Sequence, residues 1–552
     1  MRKSISTLLS MLFVAFLAVS CSNPNKMIKD ADKVSVTCDP QVLECVAGKI
    51  TANVSVVFPE GYFHPKAVVS VTPVLVYQGG EAALEPVMLQ GEKVTQNYIT
   101  VPKAGSTVTK SFTFDYVPGM EKAELQGRFA LIYNGKTINF NAPYKVADGT
   151  NTTYMLVKKC GTLAYAPDNY QTVIAESSEA QVLYQINSAV VRPKQLKAEQ
   201  IKAFQQFLKD VKADERRTIN NTEIVAYASP DGKEAFNNNL SDKRKESATK
   251  AFNKSINTKD VNVDANVIAT SIGEDWEGFK ELVNASDLED KDLILRVLEM
   301  YSDPNVRERE IRNMSQVFTI LKGDILPALR RARFIANVDF QNYTDEEILA
   351  GLDVEKYDEN TFLHIATLAK DNAKKVEVYK KAIDKFNSDR AKVNLAVTYV
   401  AMDKMDQAKA ALKNCVKDAY YYNTVGVIAL REGQYKEAAD AFAKSNIKEA
   451  SYNKGVLAIL DGNYASAAKL LAGEGCFNEA LANILVNDLK KAGKVIDGVT
   501  CCKKCGCTSY LKAIIAARQG KVNEAKAALA EATKDEKLAK RAATDIEFAK
   551  IN

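Results

Sequence analysis

The spacing of apolar positions divides the chain into three regimes. Between residues 32 and 158, short runs of β-branched and aromatic residues recur between Gly and Pro punctuation. They are Lys33–Thr37, Ile50–Phe58, Val68–Tyr77, Ser111–Tyr116, Phe129–Tyr133 and Thr137–Phe140. Their partial alternation predicts strands with one buried face. Asn134-Gly135, between the last two runs, is a hairpin signal because both turn positions tolerate positive φ. No helical run interrupts the series, so 32–158 reads as an antiparallel β-sandwich, a spacer or partner-docking module.

From 180 to 342 the pattern alternates. Leu183–Val191 is strand-like, and Ile201, Phe204, Leu208 and Val211 share one helical stripe. Strand Ile224–Ala228 follows, then a helix opened by Ser241 as N-cap, then strand Val267–Ile272. Three amphipathic helical runs come next, and Arg333–Phe340 closes as a last strand. That order predicts an α+β domain with a helical insertion at about 275–328. Trp276 reads as a core anchor of the insertion. Asp275 and Glu277 read as helix-start carboxylates rather than a catalytic pair.

From 346 to 552 the period is helical throughout and repeats. DKMDQAKAAL, GQYKEAADAF, GNYASAAKLL and GKVNEAKAAL place Ala408, Ala438, Ala467 and Ala525 at matching positions, 30, 29 and 58 residues apart. A weaker unit with Ala492 divides the last gap, and 361–387 holds an opening pair. Small residues such as Gly426 and Gly455 in the partner helices predict close packing, and Lys537–Ile551 predicts a charged capping helix. The pattern resembles a tetratricopeptide (TPR) array, with a period shorter than the usual ~34 residues. Such a resemblance implies an all-α solenoid and a protein partner.

The stretch Ile224–Phe252 carries the one nameable binding chemistry. A strand enters a Ser-Pro-Asp-Gly turn, and Gly232, Asn237, Leu240, Ser241 and Arg244 follow. This resembles the peptidoglycan-binding signature of OmpA-like domains, and Arg330, Arg331 and Arg333 precede the last strand as in that family. The resemblance implies that Arg244 holds a carboxylate of the peptide stem and that a turn aspartate holds its ammonium. Ser229 stands at that aspartate position, with Asp231 two residues on as a stand-in and Asn237 in the same motif. Lys243, Arg244 and Lys245 in a first helical turn are misplaced for the helix dipole, which favours an anion there. The alternative is a plain tight turn whose domain has lost its ligand.

At the N-terminus, Arg2-Lys3 precedes an apolar run, Ile5–Val19, too short to span a bilayer comfortably, ending in small residues before Cys21. LAVSC resembles a bacterial lipobox, with Ala18 where Leu is usual. It implies a signal peptide over 1–20, lipidation at Cys21, a polar tether over 21–31, and the periplasmic face of the outer membrane.

Composition then narrows the function classes. Net charge is +5, with two of those charges in the leader, too little to argue for nucleic acid. Two histidines, His64 and His364, leave little room for histidine-based acid–base or zinc chemistry. Cys38 and Cys45 flank a short turn as either a disulfide or two buried thiols. Cys501, Cys502, Cys505 and Cys507 form a cluster that reads as disulfides, soft-metal ligands or free thiols. No nucleophile–base pair appears, and no cofactor motif. The expectation is therefore a non-enzymatic lipoprotein scaffold that binds peptidoglycan and an envelope protein. The alternative is an accessory subunit of an assembly or secretion complex whose OmpA-like domain no longer binds the wall.

Overall fold

The computed structural model describes residues 24–261, 267–499 and 506–551. The chain divides into two compact units: one holds both chain ends, up to Pro167 and from Asp371, and the other is Asp168–Lys370.

The N-terminal part of the first unit is a two-layered β structure. Lys49–Phe58 lies between antiparallel Ser35–Asp39 and Ser106–Asp115. Its first six residues alternate exposed and buried, as the strand period requires. Val68–Tyr77 pairs with Ala123–Tyr133, which pairs with Tyr144–Asn151. Phe58 from the first layer meets Val69 and Leu131 from the second in one core, with Leu89 beside them. At the Asn134-Gly135 hairpin both residues have positive φ, 48° and 74°.

The sheet is mixed rather than purely antiparallel. Tyr144–Asn151 runs parallel to Val42–Val46, and Val87–Gly91 parallel to Ile99–Val101. Cys38 lies opposite Val54 and Cys45 opposite Ile50, at different places along Lys49–Phe58. Both are buried free thiols, which resolves the alternative left open above. Burial raises the pKa of each.

The C-terminal part is a stack of helices paired in sequence, from Asn372–Phe386 through Glu536–Ala542. The repeat alanines Ala408, Ala438, Ala467, Ala492 and Ala525 are fully buried, so each marks a point where two helices touch. A Cβ on Gly455 would lie 2.6 Å from Leu471 Cγ, so an alanine there would force Leu471 to shift. Helices Asp345–Ala350 and Glu359–Leu368 fall in the central unit, and the helices from Asn372 fall in the first. The terminal helix is shorter than expected. It ends at Ala542, and a separate turn, Ile546–Phe548, buries Phe548.

The central unit is a four-stranded sheet in the order Val173–Leu183, Arg331–Gln341, Arg217–Ala228, Val267–Glu274. The last two run parallel, and Arg331–Gln341 is antiparallel to both its neighbours. Helix Glu199–Ala213 buries the predicted stripe Ile201, Phe204, Leu208 and Val211. Four helices between Trp276 and Asp324 form their own core around Phe279, Ile294 and Leu298, with Trp276 packed against it.

Two local readings need correction. The first strand is Val173–Leu183, ten residues before the predicted start. Its polar run, Glu176 to Glu179, hides it, and pairing along Arg331–Gln341 makes it a strand. The second helix begins at Glu234, not Ser241. Nothing in EAFNNN breaks a helix, and Glu234 suits a first turn.

Candidate functional site

The site lies where strand Arg217–Ala228 ends. Ser229 turns the chain, with the Asp231 amide donating to its carbonyl at 2.8 Å. Ser229 Oγ donates to Asp231 Oδ1 at 2.6 Å. Buried Asn237 reaches back from the first turn of the next helix. Its Nδ2 lies 3.2 Å from Ser229 O, 3.3 Å from Gly232 O and 2.8 Å from Glu274 Oε1. Burial raises the Glu274 carboxyl pKa, against the Asn237 and Trp276 donors. A Cβ on Gly232 would come within 3.3 Å of Asn237 Oδ1, so glycine there lets Asn237 close over the turn.

Arg330 completes the cluster. Its Nε donates to Ser229 Oγ at 3.3 Å and its Nη2 to Asp231 Oδ2 at 3.2 Å. The two charged side chains are 11% and 15% exposed. Arg312, from the helical insertion, donates to the Asp231 carbonyl at 2.6 Å. Only Arg330 precedes the last strand, which already includes Arg331 and Arg333, and each of the three arginines takes a different carboxylate: Asp231 for Arg330, Asp275 for Arg331 and Glu179 for Arg333. Asp275 also caps the helix from Trp276, accepting from the Gly278 amide at 2.9 Å.

Arg244 sits at the same strand end but faces inward, with no exposed surface. Its three guanidinium nitrogens donate to main-chain carbonyls: Nε to Ser188 at 3.0 Å, Nη1 to Tyr227 at 2.9 Å and Nη2 to Gln185 at 3.3 Å. Burial lowers its pKa to about 10. Because the helix starts at Glu234, Arg244 lies in its third turn. Ser241 is an internal residue whose Oγ donates to Asn238 O at 2.8 Å. The helix-dipole argument for an anion at Arg244 therefore does not hold. The structure brings Ser229, Asp231, Asn237 and Arg244 to one strand end. The sequence had placed Arg330 only in a basic run, and its pairing with a turn 99 residues earlier leaves no local signal.

In the other unit, the inner side of the helix stack is lined by Asn394, Asn423, Asn453 and Asn478, all buried. Segment 157–167 runs across them. Asn478 accepts from the Lys158 amide and donates to its carbonyl, both at 2.9 Å. Asn453 does the same for Thr162 at 2.7 and 3.0 Å, and Asn394 for Ala166 at 2.6 and 3.0 Å. Asn423 adds a donor to Thr162 O at 3.2 Å.

Among the described residues, no group of three or more His, Cys, Asp or Glu side chains is placed to hold a metal. Cys501, Cys502 and Cys505, and the lipidation candidate Cys21, lie outside the described residues. No described helix is long and apolar enough to cross a membrane.

No family model and no curated protein matches the chain. One solved structure with some similarity is a tetratricopeptide repeat protein from Parabacteroides merdae. It is 14% identical, with 36% of this chain and 90% of that chain covered and a TM-score of 0.26, a likeness too slight to carry an argument.

Proposed function

We propose that the chain is a non-enzymatic scaffold of the bacterial envelope. Lipid on Cys21 tethers it to the periplasmic face of the outer membrane, its central OmpA-like unit holds the peptide stem of peptidoglycan, and its TPR-like array engages an envelope protein. The observation that supports this best is the Asp231–Arg330 pair, a carboxylate and a guanidinium 3.2 Å apart in a sheltered turn. A zwitterionic amino-acid end, such as that of diaminopimelate, presents the complementary pair. Its ammonium binds Asp231 and its carboxylate binds Arg330, exchanging one internal ion pair for two intermolecular ones. Ser229 and Asn237 hold the turn, and Arg244 holds the strand end through the Tyr227 carbonyl.

The test is a pull-down on purified sacculi. Wild type binds, and Asp231→Ala and Arg330→Ala each lose binding while keeping the far-UV spectrum of the folded chain. Full binding by both variants would sink the assignment. A wild type that stays in the supernatant would favour the second reading, an accessory subunit of an assembly or secretion complex with a ligand-free central unit. The sealed Arg244 is the observation on that side. Protease protection on intact cells tests the periplasmic placement.

A further inference from the structure

Within the stack the four inward asparagines make few bonds, Asn453 Nδ2 to Asn423 Oδ1 at 2.9 Å and Asn478 Nδ2 to Tyr452 Oη at 3.1 Å, and these leave the remaining carboxamide groups unmet. A buried carboxamide costs free energy unless its donor and acceptor are both met. Asn394, Asn453 and Asn478 each spend donor and acceptor on the amide and carbonyl of one residue of segment 157–167. That is the pairing a neighbouring β-strand would supply. The residues gripped are 158, 162 and 166, so the register is four residues. The four asparagines come from alternate helices of the stack: Asp389–Ala401, Ala419–Arg431, Lys448–Leu460 and Phe477–Leu485.

Further donors follow the same backbone. Arg431 Nε reaches Cys160 O at 2.7 Å and Arg390 Nη1 reaches Pro167 O at 3.2 Å. Side-chain contacts add to these main-chain bonds: Lys159 Nζ to Tyr435 Oη at 2.9 Å, Lys158 Nζ to Cys507 Sγ at 3.1 Å and over the Phe477 ring, and Tyr165 stacked on Tyr379. At Gly161, φ is +67° and a Cβ would lie 3.1 Å from Val427. The segment kinks there, and Thr162 is placed against both Asn423 and Asn453.

We infer that the inner face of the stack is a reader of extended peptide backbone, that segment 157–167 is its resident ligand, and that this segment closes the face to other peptides. The face recognises main-chain groups, so its ligand class is an extended peptide with a small residue at the kink rather than one fixed sequence. The inference bears on the array half of the scaffold reading and is independent of wall binding. A protein partner of the array either uses its outer surfaces or displaces residues 157–167.

The test uses the full chain with residues 158–166 replaced by a Gly-Ser linker. The probe is a fluorescein-labelled synthetic peptide of sequence 157–167, read by anisotropy. The replaced chain binds the probe and wild type does not. Adding Asn453→Ala and Asn478→Ala to the replaced chain weakens binding by about tenfold or more. Equal binding by wild type, or no binding by a replaced chain that keeps its helical spectrum, overturns the inference. Should the replacement prevent folding, amide exchange on the intact protein decides. The Lys158, Thr162 and Ala166 amides are protected, and Asn453→Ala accelerates Thr162 more than Ala166. Fast exchange at all three in wild type overturns it. Sacculus binding is unchanged in either outcome, which separates this result from the wall-binding reading.

Discussion

Asn453 holds both polar groups of one residue, Thr162, that lies 291 positions earlier in the chain. The β layers and the helix stack belong to one compact unit. Asn453→Ala leaves buried main-chain groups of Thr162 without these partners and is expected to destabilise that unit by about 1–3 kcal/mol. Urea unfolding measures it, and a midpoint equal to wild type would show that water replaces the asparagine.

Arg244 is expected to behave as a structural residue. Arg244→Ala strips donors from three carbonyls and should cost about 3 kcal/mol or more. The readout is thermal unfolding of the variant. A stable, folded Arg244→Ala that merely loses wall binding would return this residue to the ligand.

Glu547 ties residues 151–153 to the C-terminal helices. It accepts from Asn151, Thr153 and Arg518 and is 6% exposed in its side chain. Burial works to raise its pKa, and the bond and charge of Arg518 together with the Thr153 and Asn151 donors outweigh it, leaving the carboxyl below its usual range. Glu547→Ala leaves a largely buried arginine unpaired, a loss of about 3–5 kcal/mol. Denaturant midpoints should place it well below Arg309→Ala, an exposed pair worth about 0–1 kcal/mol.

Gly455 packs its backbone against Leu471, and Gly455→Ala overpacks that contact. The expected cost is about 1–3 kcal/mol. Gly455→Ala combined with Leu471→Ala should recover part of it, and a double mutant no better than the sum of the singles would rule out a direct clash.

His364 lies between two carboxylates, Nδ1 2.8 Å from Asp168 and Nε2 2.9 Å from Asp345, with Tyr170 stacked on the ring. Burial lowers its pKa, but the bonds to Asp345 and Asp168 outweigh it and the net shift is upward. A raised folded value means the protonated form is the stabilising one. Its contribution is complete below about pH 6.5 and is lost as pH rises through the higher folded value. Unfolding midpoints of wild type against His364→Gln should converge across that window, and parallel curves would show that His364 does not titrate with folding.

Local pattern carried the strands, the stripe from Ile201 to Val211, the Asn134-Gly135 hairpin and the buried repeat alanines. Each of these reflects one face of one element meeting a core, and a face is written in the spacing of neighbouring residues. Where the pattern was weak, tertiary pairing decided. The polar strand from Val173 exists because Arg331–Gln341 lies beside it. The helix through Ser241 began a full two turns early because only the fold could show what lies before it.

The sequence by itself marked the apolar positions that face a core and grouped Ser229, Asp231, Asn237 and Arg244 in one stretch of chain. Tertiary structure alone decided what each polar group meets. Arg244 spends its charge on three carbonyls, Arg330 takes Asp231, and the array asparagines close on residues 158, 162 and 166. The reason is physical. Apolar burial is non-directional and is recorded locally as periodicity, whereas a hydrogen bond needs a particular partner within about 3 Å, and chain topology selects that partner from anywhere along the sequence.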